Sequence, residues 1–197
     1  MTAAPLPPAP GTSDHMSLAL ADTVVTLGSG ERVDELDSPE AATQWLIDQD
    51  LAPETTALLA YCQSRLAGLR EDLRAVMHAQ VAGEVPPREA LENINSALVA
   101  APSARMLHHT VDRGLHRVPI HPLTQLVEHA MAQIAEDAAD LLTGPEAGRL
   151  ALCGAAPCDR FYLRTHGRRQ WCSTRCGDRV RAARSYARSK GGQHGRA

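Results

Sequence analysis

The stretch that decides the fold reads Cys153-Gly-Ala-Ala-Pro-Cys158, then thirteen residues, then Cys172-Ser-Thr-Arg-Cys176. Four of the chain's five cysteines lie here, in two close pairs within 24 residues. Paired thiolates at such spacings suit a structural Zn²⁺ held tetrahedrally, with every position filled by protein and none open for catalysis. The alternatives are two disulfides or four unconnected thiols, and disulfides need an oxidising compartment. Met1 to Pro10 is proline-rich and has no basic segment leading into an apolar core, so secretion is not expected. One Zn²⁺ on Cys153, Cys158, Cys172 and Cys176 is the expected metal site.

Cys172 and Cys176 are four residues apart, so on a helix both sulfurs point the same way. This predicts a turn carrying the first pair, a short hairpin, and a helix whose first turn supplies the second pair. That is the layout of a treble-clef finger. A helix from about Ser173 to Arg188 places Cys172, Cys176, Val180, Ala183 and Ala187 on a stripe about 80° wide. This stripe is predicted to face the zinc and the preceding domain. Arg181, Arg184 and Arg188 form a second stripe, and Arg175, Arg179 and Tyr186 a third. Arg164, Arg168 and Arg169 add charge from the loop between the cysteine pairs. The planar guanidinium fork suits phosphates and guanine edges, so these eight arginines are the candidate nucleic-acid contacts.

Charge supports the same partner. The chain has 197 residues and a net charge of −3. Residues 149–197 hold twelve basic groups against two acidic, while residues 1–148 hold eight against twenty-one. An acidic body with a basic C-terminal part points to a ligand carrying phosphate. A basic part docked on its own acidic body would give the same split. No apolar run approaches the roughly eighteen residues of a membrane span, so an intracellular protein is expected.

The body reads as mainly helical. Residues 1–14, with four prolines in the first ten, are expected to be disordered. Residues 17–27 read as a strand or an irregular apolar segment, closed by Gly28-Ser29-Gly30. Ser38-Pro39-Glu40 starts a helix to about Asp50 that buries Trp45 and Leu46. Pro53-Glu54 starts a longer one, with Leu58, Leu59, Cys62, Leu66, Leu69, Leu73, Val76 and Met77 at helical spacing, ending near Gly83. Cys62 reads as a small buried hydrophobe. Arg88 to Val99 is a third helix, with Leu91, Ile94 and Leu98 on one face. Alternation around Asp112-Arg113-Gly114 predicts a β-hairpin over about 105–120. Pro122 to Thr143 is a fourth helix, burying Leu126, Val127, Ala130, Ile134, Ala138, Leu141 and Leu142. His108, His109, His116, His121 and His129 cluster in sequence, but neighbours on a strand point to opposite faces, and no second metal site is expected. No phosphate loop, nucleophile elbow or HExxH motif occurs, so the chain is not expected to be an enzyme.

The run Arg168 to Arg179, RRQWCSTRCGDR, resembles the CGNR zinc finger, and Val180 to Arg188 continues the match. That finger closes bacterial proteins with an N-terminal ABATE domain, described as stress-induced transcriptional regulators. Leu18 to Val24 and the helix around Trp45-Leu46 resemble the ABATE part more weakly. Asp178 stands where the family name has Asn, and Arg164 and His166 stand where relatives often carry Asp and Ser. If that Asn touches a base or phosphate, a carboxylate there would repel the backbone.

The expected architecture is α+β, mainly α-helical. A helical domain with a small β-hairpin spans about 15–145, a treble-clef-like four-cysteine finger spans about 150–190, and 191–197 form a disordered tail. The expected function is a cytoplasmic, nucleoid-associated DNA-binding regulator. Its zinc folds the finger, its arginines meet DNA, and its first domain senses a small ligand or self-associates. The alternative is a zinc-stabilised module that docks on an acidic protein.

Overall fold

The computed structural model describes residues 7–101, 104–120 and 125–193. The elements are α1 (Met16–Ala21), β1 (Val24–Thr26), β2 (Arg32–Asp34), α2 (Pro39–Asp48), α3 (Ala60–Ala82), α4 (Arg88–Ala100), β3 (Ala104–Thr110), β4 (Gly114–Ile120), α5 (Leu126–Thr143), β5 (Leu150–Leu152), β6 (Phe161–Leu163) and α6 (Thr174–Gln193). The strands form three two-stranded antiparallel sheets. The fold is thus α+β and mainly helical. The helical body packs Leu46 of α2, Leu66, Leu69 and Leu73 of α3, Ile94 of α4, and Ala130, Ile134 and Ala138 of α5 into one core.

Local chemistry sets most boundaries. Ser38 caps α2, its hydroxyl accepting the Ala41 N–H at 3.1 Å, with Pro39 in the first helical position. Gly83 ends α3 in the left-handed region, at φ 70°. β3 and β4 pair over seven residues each, with His108 opposite His116. Met106, Leu107 and Leu115 of this arm are exposed, and none of its described side chains joins a core cluster. The start of the fourth predicted helix, Pro122 to Thr124, and His121 lie outside the described residues.

Three segments differ from the sequence reading, each because of a partner distant in the chain. The segment read as extended from Ser17 begins as helix α1. Asp137 of α5 caps it, accepting both the backbone N–H and the hydroxyl of Ser17 at 2.8 and 2.5 Å. The long helix α3 begins at Ala60 rather than near Pro53. Thr43 of α2 accepts the Leu58 N–H at 3.0 Å and holds residues 53–59 as a turn and coil, which leaves Leu59 exposed. The disorder expected for residues 1–14 does not extend to residue 7 and beyond. Pro10 accepts the Leu163 N–H at 2.7 Å, and Ala9 is buried against the finger. Gly11 permits this, at φ 97°, because a Cβ there would meet Leu163 at 2.7 Å. Residues 1–6 lie outside the described residues. In α4 the buried face is Ala90, Ile94 and Ala97, with Leu91 exposed.

The body and the cysteine-bearing part share a core. Leu18 and Ala21 of α1, Met77 of α3 and Leu141 of α5 pack on Leu150 of β5 and on Phe161 and Leu163 of β6. A second cluster joins Ala9 and Val25 to Ala151, Tyr162 and the four cysteines. Polar groups close the same joint. Asp22 accepts from Arg160 Nε at 3.1 Å and from the Phe161 N–H at 2.8 Å. The Asp22 and Arg160 side chains are only 3% and 7% exposed, so each charge depends mainly on the other. Burial pushes the Asp22 carboxyl up to about 7, although Arg160 and the Phe161 amide pull the other way. Beside it, Asp159 accepts from Arg74 at 3.1 Å and from the Thr26 N–H at 2.7 Å. Removing one partner of a buried pair strands the other, at a cost of about 3–5 kcal/mol.

A second clip is pH-sensitive. His15 lies 3.0 Å from Asp137 and 3.2 Å from Glu146, tying the start of α1 to the segment that leads into β5. Burial lowers the imidazole pKa, but the Glu146 and Asp137 carboxylates outweigh it and hold His15 above its ordinary 6.5. The folded state therefore binds this proton more tightly than the unfolded chain. The stabilisation is complete below about pH 6.5 and is lost as pH rises through the raised value. Urea unfolding of wild type and His15→Gln should differ more at pH 6 than at pH 9. Asp22 is common to both chains and cancels from the comparison. A constant difference across this range would remove His15 as a charged clip.

Candidate metal centre and basic helix

Cys153 directly follows β5, and Cys158 closes the loop after it. Cys172 precedes α6, and Cys176 lies in its first turn. The four sulfurs are buried and lie within 4.8 Å of one another. Cys172 Sγ is 3.9 Å from Cys158 Sγ and 3.7 Å from Cys176 Sγ. Sulfurs at about 2.3 Å from a tetrahedral Zn²⁺ stand about 3.8 Å apart, so the space between these four matches that ion. The backbone N–H of Cys172 points at Cys153 Sγ at 3.5 Å. Those of Ala155 and Arg160 point at Cys153 and Cys158. Such donors orient thiolates and spread their charge. Hydrogen bonds from Cys158 and Cys172 hold the Cys153 thiol well down, while the contact with Cys153 pushes both Cys158 and Cys172 up. The sulfurs cannot all ionise on their own, and a dication supplies the missing charge.

The helix start differs from the sequence reading. Ser173 accepts the Cys176 N–H on its hydroxyl at 3.2 Å and the Gly177 N–H on its carbonyl, so it caps α6. Cys172 therefore lies before the helix and reaches the other sulfurs from the incoming loop. Gly177 is required for close approach, because a Cβ there would meet the Trp171 ring at 2.9 Å.

The eight arginines divide by partner. Arg169 donates to the carbonyls of Trp171 and Cys172 at 3.0 and 2.9 Å, and its guanidinium sits 5.8 Å from the Tyr162 ring centre. Arg179 donates to the carbonyls of Ala155 and Ala156 at 2.5 and 2.8 Å, clamping the first cysteine loop onto α6. These two fasten the finger internally. Arg181 bonds Asp178 at 2.6 Å and lies over Trp171. Arg164, Arg168, Arg175, Arg184 and Arg188 are exposed. The predicted apolar stripe stops at Val180. Ala183 and Ala187 are exposed, as is every residue from Arg181 to Lys190. The finger's core ends with the cysteines, Trp171 and Val180, and nothing among the described residues covers the turns of α6 beyond them. The helix continues to Gln193, so the first part of the tail predicted as disordered is helical. Residues 194–197 lie outside the described residues.

The joint residues Asp22, Arg74, Asp159 and Arg160 escaped the sequence reading. Their one local signal was charge inside apolar or cysteine-flanked runs, at Asp22 after Leu18-Ala19-Leu20-Ala21 and at Asp159-Arg160 after Cys158.

Comparison with known families gives two matches. Residues 14–145 match the ABATE model, described as "Putative stress-induced transcription regulator", and residues 149–189 match the CGNR zinc finger. No curated protein matches the chain. The finger match and the sulfur geometry together make the metal one structural zinc. Among the described residues no helix is long and apolar enough to cross a membrane.

Metal analysis of protein purified without chelator should find one zinc per chain. Cys172→Ser, which removes a sulfur within 4 Å of two others, should fall well below one. Full zinc in that variant, or none in wild type, would contradict the four-sulfur site.

Proposed function

The chain belongs to the ABATE family and ends in a CGNR zinc finger, and from that premise we propose that it is a regulator that binds duplex DNA through the outer half of α6. The observation that carries this reading is the exposure of α6 on every side from Arg181 to Lys190. A helix segment exposed all round gains nothing from packing within its own chain by extending beyond the core. Its length from Arg181 to Gln193 is about 20 Å, enough to lie in a major groove about 12 Å wide. Arg184 and Arg188 stand about one turn apart, and neither guanidinium makes a side-chain hydrogen bond or ion pair among the described residues. Arg164, Arg168 and Arg175 add positive charge near the inner end.

In this reading zinc and the Ser173 cap fix the start of the helix, and the Arg179 clamp fixes its direction. Neither Arg169 nor Arg179 meets DNA, since each is committed to carbonyls. The chain acts by binding rather than catalysis, and DNA binding would place it with the chromosome. Asp178 draws Arg181 into an ion pair on the helix surface. This restrains one arginine and sets a carboxylate close to the phosphates.

Each arginine that neutralises a phosphate adds about 0.9 to the slope of log affinity against log salt. Arg184→Ala with Arg188→Ala should cut that slope by nearly two while zinc content stays at one. Arg179→Ala should instead lower finger stability and leave the slope alone. Asp178→Asn should tighten DNA binding, most at low salt. Binding to random duplex across a salt series measures all three. An unchanged slope in the double variant would transfer the helix to an acidic protein partner.

A further inference from the structure

A cavity of about 400 Å³ opens where the N-terminal segment, α1, α2 and the finger meet. That is within the size range of small-molecule sites. Its floor is the Asp22–Arg160 pair, one residue from the body and one from the finger. Trp45 and Pro8 give it apolar walls, and Glu35 and Asp48 line it with carboxylates.

The lining selects a ligand by charge. Arg160 is already committed, to Asp22 through Nε and to the Pro7 carbonyl through Nη1. The lining sets three carboxylates, Asp22, Glu35 and Asp48, against this one guanidinium, so it offers an anion little. Glu35 and Asp48 remain in excess. Asp48 takes one hydrogen bond, from Gln44 at 2.8 Å, and no side-chain hydrogen bond reaches the Glu35 carboxylate among the described residues. The carboxylates do not converge as metal ligands do. The one group of His, Cys, Asp or Glu at metal-binding distance among the described residues is the four cysteines. An organic cation fits better than an ion, because a buried indole and two spaced carboxylates can serve the apolar stem and the charged head together.

We infer that this cavity binds a small organic cation, an alkyl amine or alkyl guanidine, with its charged head at Glu35 and Asp48 and its stem against Trp45. The cavity exists only while the finger is seated, since Arg160 and the strapped segment at Pro8 form part of its wall. A ligand that fills it stabilises the seated arrangement by mass action. Its use as a signal input rests on the reading of the chain as a regulator, whereas binding itself does not.

Calorimetric titration of the zinc-loaded full chain with agmatine and with putrescine, without DNA, tests the site. One saturable site per chain is expected for at least one probe, together with a rise in the thermal midpoint. Glu35→Gln should weaken binding at least tenfold, and Asp48→Asn should weaken it in the same direction. Both are exposed residues outside the core, so the variants should fold with one zinc. No saturable binding of either cation, equal affinity in Glu35→Gln, or tighter binding of inorganic phosphate than of both cations would each overturn the proposal. None of these outcomes bears on the salt dependence of DNA binding, so the two readings fail separately.

Discussion

Asp22 and Arg160 meet almost wholly removed from bulk water, and that pairing governs how the two halves of the chain relate. Each charge is tolerated in the interior only because the other is present. Asp22 adds the Phe161 amide to its partners, and Arg160 adds the Pro7 carbonyl. The carboxylate that follows α1 thereby fixes the start of β6, and the guanidinium fixes the N-terminal segment. Arg74 and Asp159 repeat the arrangement one step away, with Arg74 also donating to the Ala21 carbonyl at 2.7 Å. Around these pairs Leu18, Met77 and Leu141 pack on Leu150, Phe161 and Leu163. The zinc finger is built into the body as its last layer.

This seating determines what the finger can present. Zinc holds the first cysteine loop against the base of α6, and Arg179 reinforces the grip through two carbonyls. The inner helix is occupied by those contacts. The outer helix packs on nothing among the described residues and extends from a fixed base. The acidic body and the basic C-terminal part do not neutralise each other through this outer helix. Their contact runs through the β5–β6 hairpin and the cysteine-bearing base of α6 instead, and the arginines beyond Val180 stay outside it.

Elements whose signals are local were legible in the sequence. Ser38-Pro39 capped α2 as its residue types require, and Gly83 ended α3. The cysteine spacing located all four sulfurs, because a metal site compresses distant chemistry into a short motif. The reading failed where the deciding partner lay far along the chain. α1 forms with a carboxylate from α5 that is 120 residues away. The 53–59 segment stays unwound because Thr43 takes its amide. The helical wheel gave α6 a packed face through Ala187, but periodicity cannot say where the packing partner ends. It ends at Val180. The helical wheel made Arg179, and loop position Arg169, candidate nucleic-acid contacts, whereas the carbonyls they satisfy come from loop conformations that no sequence pattern specifies.

Finger and body form one folding unit through the buried joint. The most direct measurement follows thermal unfolding of the full chain with two probes, zinc release to a chromogenic chelator and the helical circular dichroism that arises largely from the body. One transition is expected, with zinc leaving at the temperature at which the helices melt. Zinc release completed well below the main helical transition would contradict it. It would mean that the finger is a separate appendage and that the Asp22–Arg160 joint does not bind the halves together.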